Sequence, residues 1–239
     1  RALYSCVDRT FVYDSYSCRR EKGTHKAVNR FRILARKLSL NNTRTIWVLK
    51  CDIRKFFANI DHAILKNILK RLIGDADVLW LLGQVIDSFN TKNKPGVGLP
   101  LGNLTSQLLV NIYMNHFDQF VKRELKIGNY IRYADDFLIL HERKDFLENS
   151  LLKISQFLKT RLKLELHPNK VSIKTNSSGV DFLGWVSFPR HRVLRTSTKR
   201  RMFKNLRQKL SKETMASYLG MLKWGNTYKL KLRIPAQEI

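Results

Sequence analysis

Three acids in this sequence have the type and spacing to do chemistry. Asp135 and Asp136 stand side by side in YIRYADDFLIL, residues 130–140, between two apolar arms, and Asp52 closes the run TRTIWVLKCDI, residues 43–53. On its own the adjacent pair admits two readings. It can cap an ordinary hairpin turn, because strand-type residues flank it and Asp tolerates the positive φ of tight hairpins. It can equally hold a metal. If the strand ending at Asp52 neighbours the hairpin, three carboxylates meet at one edge and repel one another unless divalent cations neutralise them. Hard cations prefer oxygen ligands. Paired Mg²⁺ ions serve in-line displacement at phosphorus, so phosphoryl transfer is the chemistry to expect. Successive strand residues point to opposite faces, so only a turn brings both acids to one site, which ranks Asp136 behind Asp135.

The elements that must position these acids follow from pattern. Residues 43–53 are rich in β-branched and apolar types and predict a buried strand ending near Asp52. Asp61 predicts a helix N-cap, with Ile64, Leu65, Ile68, Leu69 and Leu72 at helical spacing behind it. NKPGVGLPLGNL, residues 93–104, holds three glycines and two prolines and predicts a constrained loop. A helix is expected from about Thr105, with Leu108, Ile112, Phe120 and Val121 on its apolar stripe. The Asp-Asp hairpin comes next, then an amphipathic helix over 144–164 facing Leu147, Leu151, Ile154 and Leu158 inward. KVSIKT and VDFLGWVSF read as two short strands, and 196–232 as basic and helical. That order predicts an α+β fold, a small mostly antiparallel sheet backed by helices with a separate helical C-terminal piece.

Charge narrows the partner. The 239 residues carry 45 Lys+Arg against 19 Asp+Glu, a formal +26. A surface this basic repels itself unless a polyanion is near, so nucleic acid is the natural partner. Residues 190–212 hold ten Lys/Arg and no acid, and residues 17–37 hold eight against one acid, which suggests a groove lined from two sides. Cys6, Cys18 and Cys51 lack metal-site spacing and read as reduced, packing thiols of a cytoplasmic protein. No apolar run approaches the roughly 18 residues a membrane span needs, and no signal peptide opens the chain. The chain begins at Arg1 without Met, so an N-terminal portion is expected to be missing.

Five collinear motifs then carry a family resemblance. LKCDIRKFFANIDH (49–62), GLPLGNLTSQLLVNIYMN (98–115) and RYADDFLIL (132–140) resemble three successive palm motifs of reverse transcriptases. YDSYSCRREKGTHKAV (13–28) resembles their fingers motif, and VDFLGW (180–185) their later palm hairpin. The resemblance implies a right-hand polymerase core, with N-terminally incomplete fingers over 1–45, palm over 46–188 and a basic helical thumb over 189–239. Retroviral and group II intron enzymes usually have Gln where this chain has Leu101, and Pro where it has Gln107. LPLGNLTSQ instead resembles the variant found in diversity-generating retroelements, as do FLGWVSFPRHRVLRTSTKRR and SYLGMLKWGNTYKLKLR after the palm. That group implies error-prone copying of a template-repeat RNA, with mismatches at template adenines. It also implies a pentameric accessory variability protein as partner. A group II intron-like or defence-associated enzyme is the nearest rival; a non-catalytic RNA-binding scaffold and a two-metal nuclease are the others.

Roles carried by the resemblance are specific. Asp52, Asp135 and Asp136 would be catalytic and, with the Ile53 carbonyl, hold two Mg²⁺ ions, Mn²⁺ being the substitute. Phe57 would be the sugar gate that excludes a 2′-hydroxyl, neighbouring Phe56 belonging to the core. Arg19 and Lys22, with Arg20 as substitute, would grip the incoming dNTP triphosphate, and Lys170 would approach it. Gly98, Pro100, Leu101, Gly102 and Gln107 would shape the floor under the nascent base pair. Arg195, Lys199, Arg200, Arg201, Lys204 and Arg207 would hold the backbone of template RNA and a DNA or RNA primer. A cytoplasmic setting in a bacterium, archaeon or phage-infected cell is implied.

Overall fold

The computed structural model describes residues 2–208 and 211–234, apart from the side chains of Ala2 and Cys6. The packing role expected of Cys6 therefore lies outside the described side chains. Two compact units form, Arg1–Ala27 with Trp47–Ile173, and Val28–Ile46 with Lys174–Ile239. These units follow contacts, and they group residues 28–46 with the C-terminal helices, whereas the expected boundaries near 45 and 188 divide the chain by role.

The first unit holds α1 (Ala2–Asp8), the start of α2 (Thr24–Leu38), β1 (Trp47–Asp52), α3 (His62–Leu72), α4 (Ala76–Asp87) and α5 (Leu104–Gln119). It continues through β2 (Tyr130–Tyr133), β3 (Asp136–His141) and α6 (Lys144–Leu162) into β4 (Ser172–Thr175). The strands form one sheet in the order β2-β3-β1-β4. β3 runs antiparallel to both β1 and β2, and Phe137 to Leu140 are all buried, as a continuous apolar run in an inner strand should be. Leu49, Cys51, Phe137 and Ile139 join one core with Tyr113, Phe117, Ile154 and Leu158 from α5 and α6. Asp61 caps α3 as expected, its Oδ1 accepting from the Ile64 N–H at 2.9 Å. α4 was not among the expected elements, although Asp75 caps it in the same way.

Two expectations need correction. α5 is not a half-buried amphipathic helix: Ser106, Asn111, Asn115 and Asp118 are buried along with its apolar residues, and Phe120 and Val121 fall in a separate π-helical turn, Phe120–Glu124. Its polar side chains are tolerated because they find partners, Asn111 Nδ2 donating to the Ser17 carbonyl at 2.9 Å. Cys18 is exposed, whereas Cys51 is buried and burial pushes its thiol well up.

The second unit holds β5 (Val180–Phe182), β6 (Trp185–Ser187) and β7 (Arg192–Leu194) in one antiparallel sheet, then α7 (Thr196–Gln208), α8 (Lys212–Leu222) and α9 (Tyr228–Lys231). VDFLGWVSF, one strand by pattern but a hairpin by resemblance over 180–185, folds back on itself. Leu183 and Gly184 take φ of 51° and 85°, the doubly positive pair of a tight hairpin. Three-residue β7 is too short to leave a periodic trace. No described helix is long and apolar enough to cross a membrane.

Candidate active site

The register sets the centre of the site. Asp52, the last residue of β1, lies opposite Asp136, the first of β3. Ala134 and Asp135 form the two-residue loop between β2 and β3, whose ends pair as Tyr133 and Asp136. Neither acid takes the left-handed conformation the turn needs; Ala134 does, at φ 54°. The Ile53 N–H donates to the Asp135 carbonyl at 3.2 Å, so the loop closes over the end of β1.

The carboxylates are coupled. Burial first, and the Asp52 charge after it, raise the Asp135 carboxyl above the usual carboxylate range, against the pull of Lys170 and Arg132. Lys170 Nζ meets both Asp52 oxygens at 3.0 and 3.1 Å. Asp136 leans another way, its Oδ2 lying 3.6 Å from Lys50 Nζ, and Lys50 is two residues back along β1. Among the described residues no three His, Cys, Asp or Glu side chains lie close enough to hold one metal ion. The expected three-acid cluster is thus reduced to a pair, because Asp136 is in the strand and Asp135 in the turn. That pair still fits a divalent cation: two hard oxygen donors, one of them held above its usual range by burial and then by its neighbour's charge.

The chain holds the expected loop residues in different ways. Phe56 is buried and Phe57 half-buried against the same core, their rings edge-on at 5.5 Å. The Leu99 N–H donates to the Phe57 carbonyl at 2.8 Å, which ties the glycine-rich loop to the turn carrying Phe57. Gly98 has φ 109°, and a Cβ there would lie 2.2 Å from Thr91 Oγ1, so only glycine fits. Leu101 is 78% exposed beside exposed Gly102, and Gln107 is half-buried in the first turn of α5. Leu101 therefore has no packing role within the described chain.

Among the fingers cations the expectation shifts. All five N–H groups of Arg19 are spent within the chain, on Asp8, Val12 and Ser15. A guanidinium so committed has none left for a triphosphate. Arg20 is exposed, and Lys22 Nζ lies 3.6 Å over the Tyr13 ring while donating to the Tyr13 carbonyl. In the second unit, Arg200, Arg201, Lys204 and Arg207 are exposed on α7, and all but Arg201 line an open groove with Lys199 and Arg233. Arg195 is instead held by Asp181, its Nε donating to Oδ1 at 2.7 Å.

One positioning device was not foreseen. Arg132 and Asp118 are both 0% exposed and form a two-point ion pair, Nε to Oδ1 at 2.7 Å and Nη2 to Oδ2 at 2.6 Å. Tyr130 donates to the same carboxylate at 2.6 Å. Arg132 Nη1 donates to the Ala134 carbonyl at 3.0 Å, and Nη2 to Ser15 Oγ at 3.1 Å. One buried cation therefore fixes the loop that carries Asp135 and ties the segment before Lys22 to it. An arginine inside an apolar strand was the available signal.

The fold is that of a right-hand polymerase core, and comparison with known proteins gives the family. The profile described as reverse transcriptase (RNA-dependent DNA polymerase) matches residues 1–187, and the chain belongs to that family. It is 26% identical to Protein YkfC of Escherichia coli K12 over 87% of this chain and 63% of that protein. It is 24% identical to the group II intron-encoded protein LtrA of Lactococcus lactis over 77% of this chain and 40% of LtrA. The chain thus spans 63% or less of these curated relatives. Apo telomerase from Candida tropicalis shares its fold at a TM-score of 0.64 and 12% identity, over 87% of this chain and 43% of that one. The α+β, right-hand polymerase architecture is that of this family.

Proposed function

We propose that the chain is the catalytic core of an RNA-directed DNA polymerase that extends a DNA or RNA primer along an RNA template. The observation that carries this reading is the coupled Asp52–Asp135 pair at the edge of the sheet of a reverse transcriptase-family chain. In this reading Asp52 and Asp135, with the Ile53 carbonyl, hold two Mg²⁺ ions, and Asp136 supports them from the strand. When bound, the metals lower the charge that builds on the attacking and leaving oxygens. Lys170 neutralises Asp52 in the resting site and turns to the triphosphate when a nucleotide arrives. Lys22 and Arg20 take the outer phosphates, while Phe57 lies under the sugar and excludes a 2′-hydroxyl. The primer 3′-hydroxyl then loses its proton and attacks the α-phosphate of the dNTP, the bond to the β-phosphate breaks and pyrophosphate leaves, and α7 holds the duplex backbone. The division into fingers, palm and thumb belongs to the same proposal, as does a cytoplasmic setting. Primer extension on an RNA template tests it: Asp52→Asn or Asp135→Asn should abolish extension and leave RNA binding intact. Extension by either variant near the wild-type rate refutes the metal assignment.

Within the family, the reading extends to the error-prone enzyme of a diversity-generating retroelement, working with a pentameric accessory protein. Exposed Leu101 supports it, because leucine offers a forming base pair bulk but neither donor nor acceptor. Correct and incorrect nucleotides then differ less in transition-state binding, and each 1.4 kcal/mol of lost difference is about tenfold in discrimination. The likeness to LtrA favours a group II intron-like enzyme as the second reading. Sequencing cDNA copied from one adenine-containing RNA separates them. Leu101→Gln should lower misincorporation opposite adenine, and equal error spectra would show that Leu101 does not set fidelity.

A further inference from the structure

The second unit contains a cavity of about 270 Å³ built from the end of α2, the β6–β7 turn and the segment after α8. Arg32, Arg36, Arg190 and Arg192 line it, with Lys223 beside them. None of the four arginines has an acid partner among the described residues. Burial, and then the nearby Arg32 charge, press down on the Arg192 guanidinium, so these two cations repel each other. Like charges crowded against a concave wall with no counter-charge are arranged for an anion.

The same cavity has a second, independent feature. Asn176 lines it, is 5% exposed, and its buried Oδ1 has no hydrogen-bond partner. An acceptor left this way costs about 1–3 kcal/mol unless a donor arrives. The phosphodiester of a nucleic-acid strand carries no proton and cannot be that donor. Aromatic surface completes the lining: Trp224 is 41% exposed, and the Phe188 ring stacks on His191 at 4.7 Å. Cations for a phosphate, a ring for stacking and an acceptor for an amine are the three contacts one nucleotide offers.

We propose that this cavity is a nucleotide pocket, taking one unstacked, amine-bearing nucleotide of a single strand of nucleic acid, with its phosphate on the arginines and its exocyclic amine on Asn176. It uses none of the residues assigned to the carboxylate site, the glycine-rich loop or the α7 groove. The proposal rests on the nucleic-acid reading above but not on catalysis. Uracil and thymine present a carbonyl oxygen where cytosine presents its amine, and their one base donor is the ring N–H, so the pocket favours the amine-bearing bases.

Binding of cytidine 5′-monophosphate, uridine 5′-monophosphate and inorganic phosphate to the full chain, by titration calorimetry with EDTA present, tests this directly. Labelled oligocytidylate and oligouridylate five nucleotides long form the second arm, read by anisotropy. Cytidine monophosphate should bind at least fivefold tighter than uridine monophosphate, and Asn176→Ala should erase that difference without weakening the uridine form. Arg32→Gln with Arg192→Gln should weaken both at least tenfold, circular dichroism confirming a native fold. Oligocytidylate should bind tighter than its monomer. Phosphate binding as tightly as cytidine monophosphate, or preference unchanged by Asn176→Ala, overturns the nucleotide assignment. A monomer tighter than the oligomer overturns the strand. A chain that shows this preference and extends no primer keeps the pocket and loses the polymerase reading.

Discussion

Removing Arg132 separates stability from positioning. Arg132→Met leaves the fully buried Asp118 carboxylate with Tyr130 alone, and Asp118→Asn leaves a buried guanidinium without its counter-charge. Breaking a buried pair from one side costs about 3–5 kcal/mol, a large part of a total near 5–15 kcal/mol. For a chain of this length that lowers Tm by roughly 6–20 °C. The double variant Arg132→Met/Asp118→Asn has no unpaired charge, and the amide oxygen it places at position 118 still accepts from Tyr130, so most of the stability should return. Catalysis should not return with it. Ala134 is held at φ 54°, a conformation that costs about 1–3 kcal/mol outside glycine, and the Arg132 bond to its carbonyl, at about 1.5–3 kcal/mol for a charged donor, offsets that strain. Without it the loop relaxes and Asp135 moves. A displacement near 1 Å costs about 100-fold in rate. Thermal unfolding and single-turnover primer extension of the two single variants and the double are the assay. Wild-type extension by the folded double variant would refute the positioning role, and a double variant no more stable than either single would refute the ion-pair argument.

Three further outcomes are expected. Because the Asp135 pKa is raised in the fold, the native state holds its proton longer than the unfolded chain, and stability is lost as pH rises from the ordinary carboxylate range through the raised value. Asp135→Asn should therefore raise Tm at pH 7 in EDTA while abolishing extension, and the gain should vanish below the ordinary range; a gain independent of pH would point to another cause. Neutralising Arg200, Arg201, Lys204 and Arg207 together should flatten the salt dependence of template–primer binding by roughly 0.7–0.9 in log–log slope for each phosphate no longer neutralised, and an unchanged slope would make that face of α7 a solvated one. Phe57→Val should admit ribonucleotides with little loss of dNTP use, whereas a selectivity ratio equal to wild type would return Phe57 to the core with Phe56.

Local physics made much of the scaffold legible. β1 ends at Asp52, Asp61 caps α3, the expected 93–104 loop runs to Asn103 where α5 begins, and β2–β3 is a tight hairpin. Each rests on the period of apolar residues, on a cap, or on glycine and proline, and none needs a distant partner. The collinear motifs likewise placed the acids and the family. The partner of each charge was not legible. Arg19 looked like a triphosphate ligand and is consumed by Asp8, eleven residues away. Asp136 already ranked behind Asp135, but nothing in the sequence showed that it turns to Lys50. α5 looked half-solvated, yet its Asp118 is sealed against Arg132. Sequence period fixes the backbone path and the face a residue takes, but a charge chooses its partner by what remains once neighbouring elements have excluded water, and only the packed tertiary structure sets that.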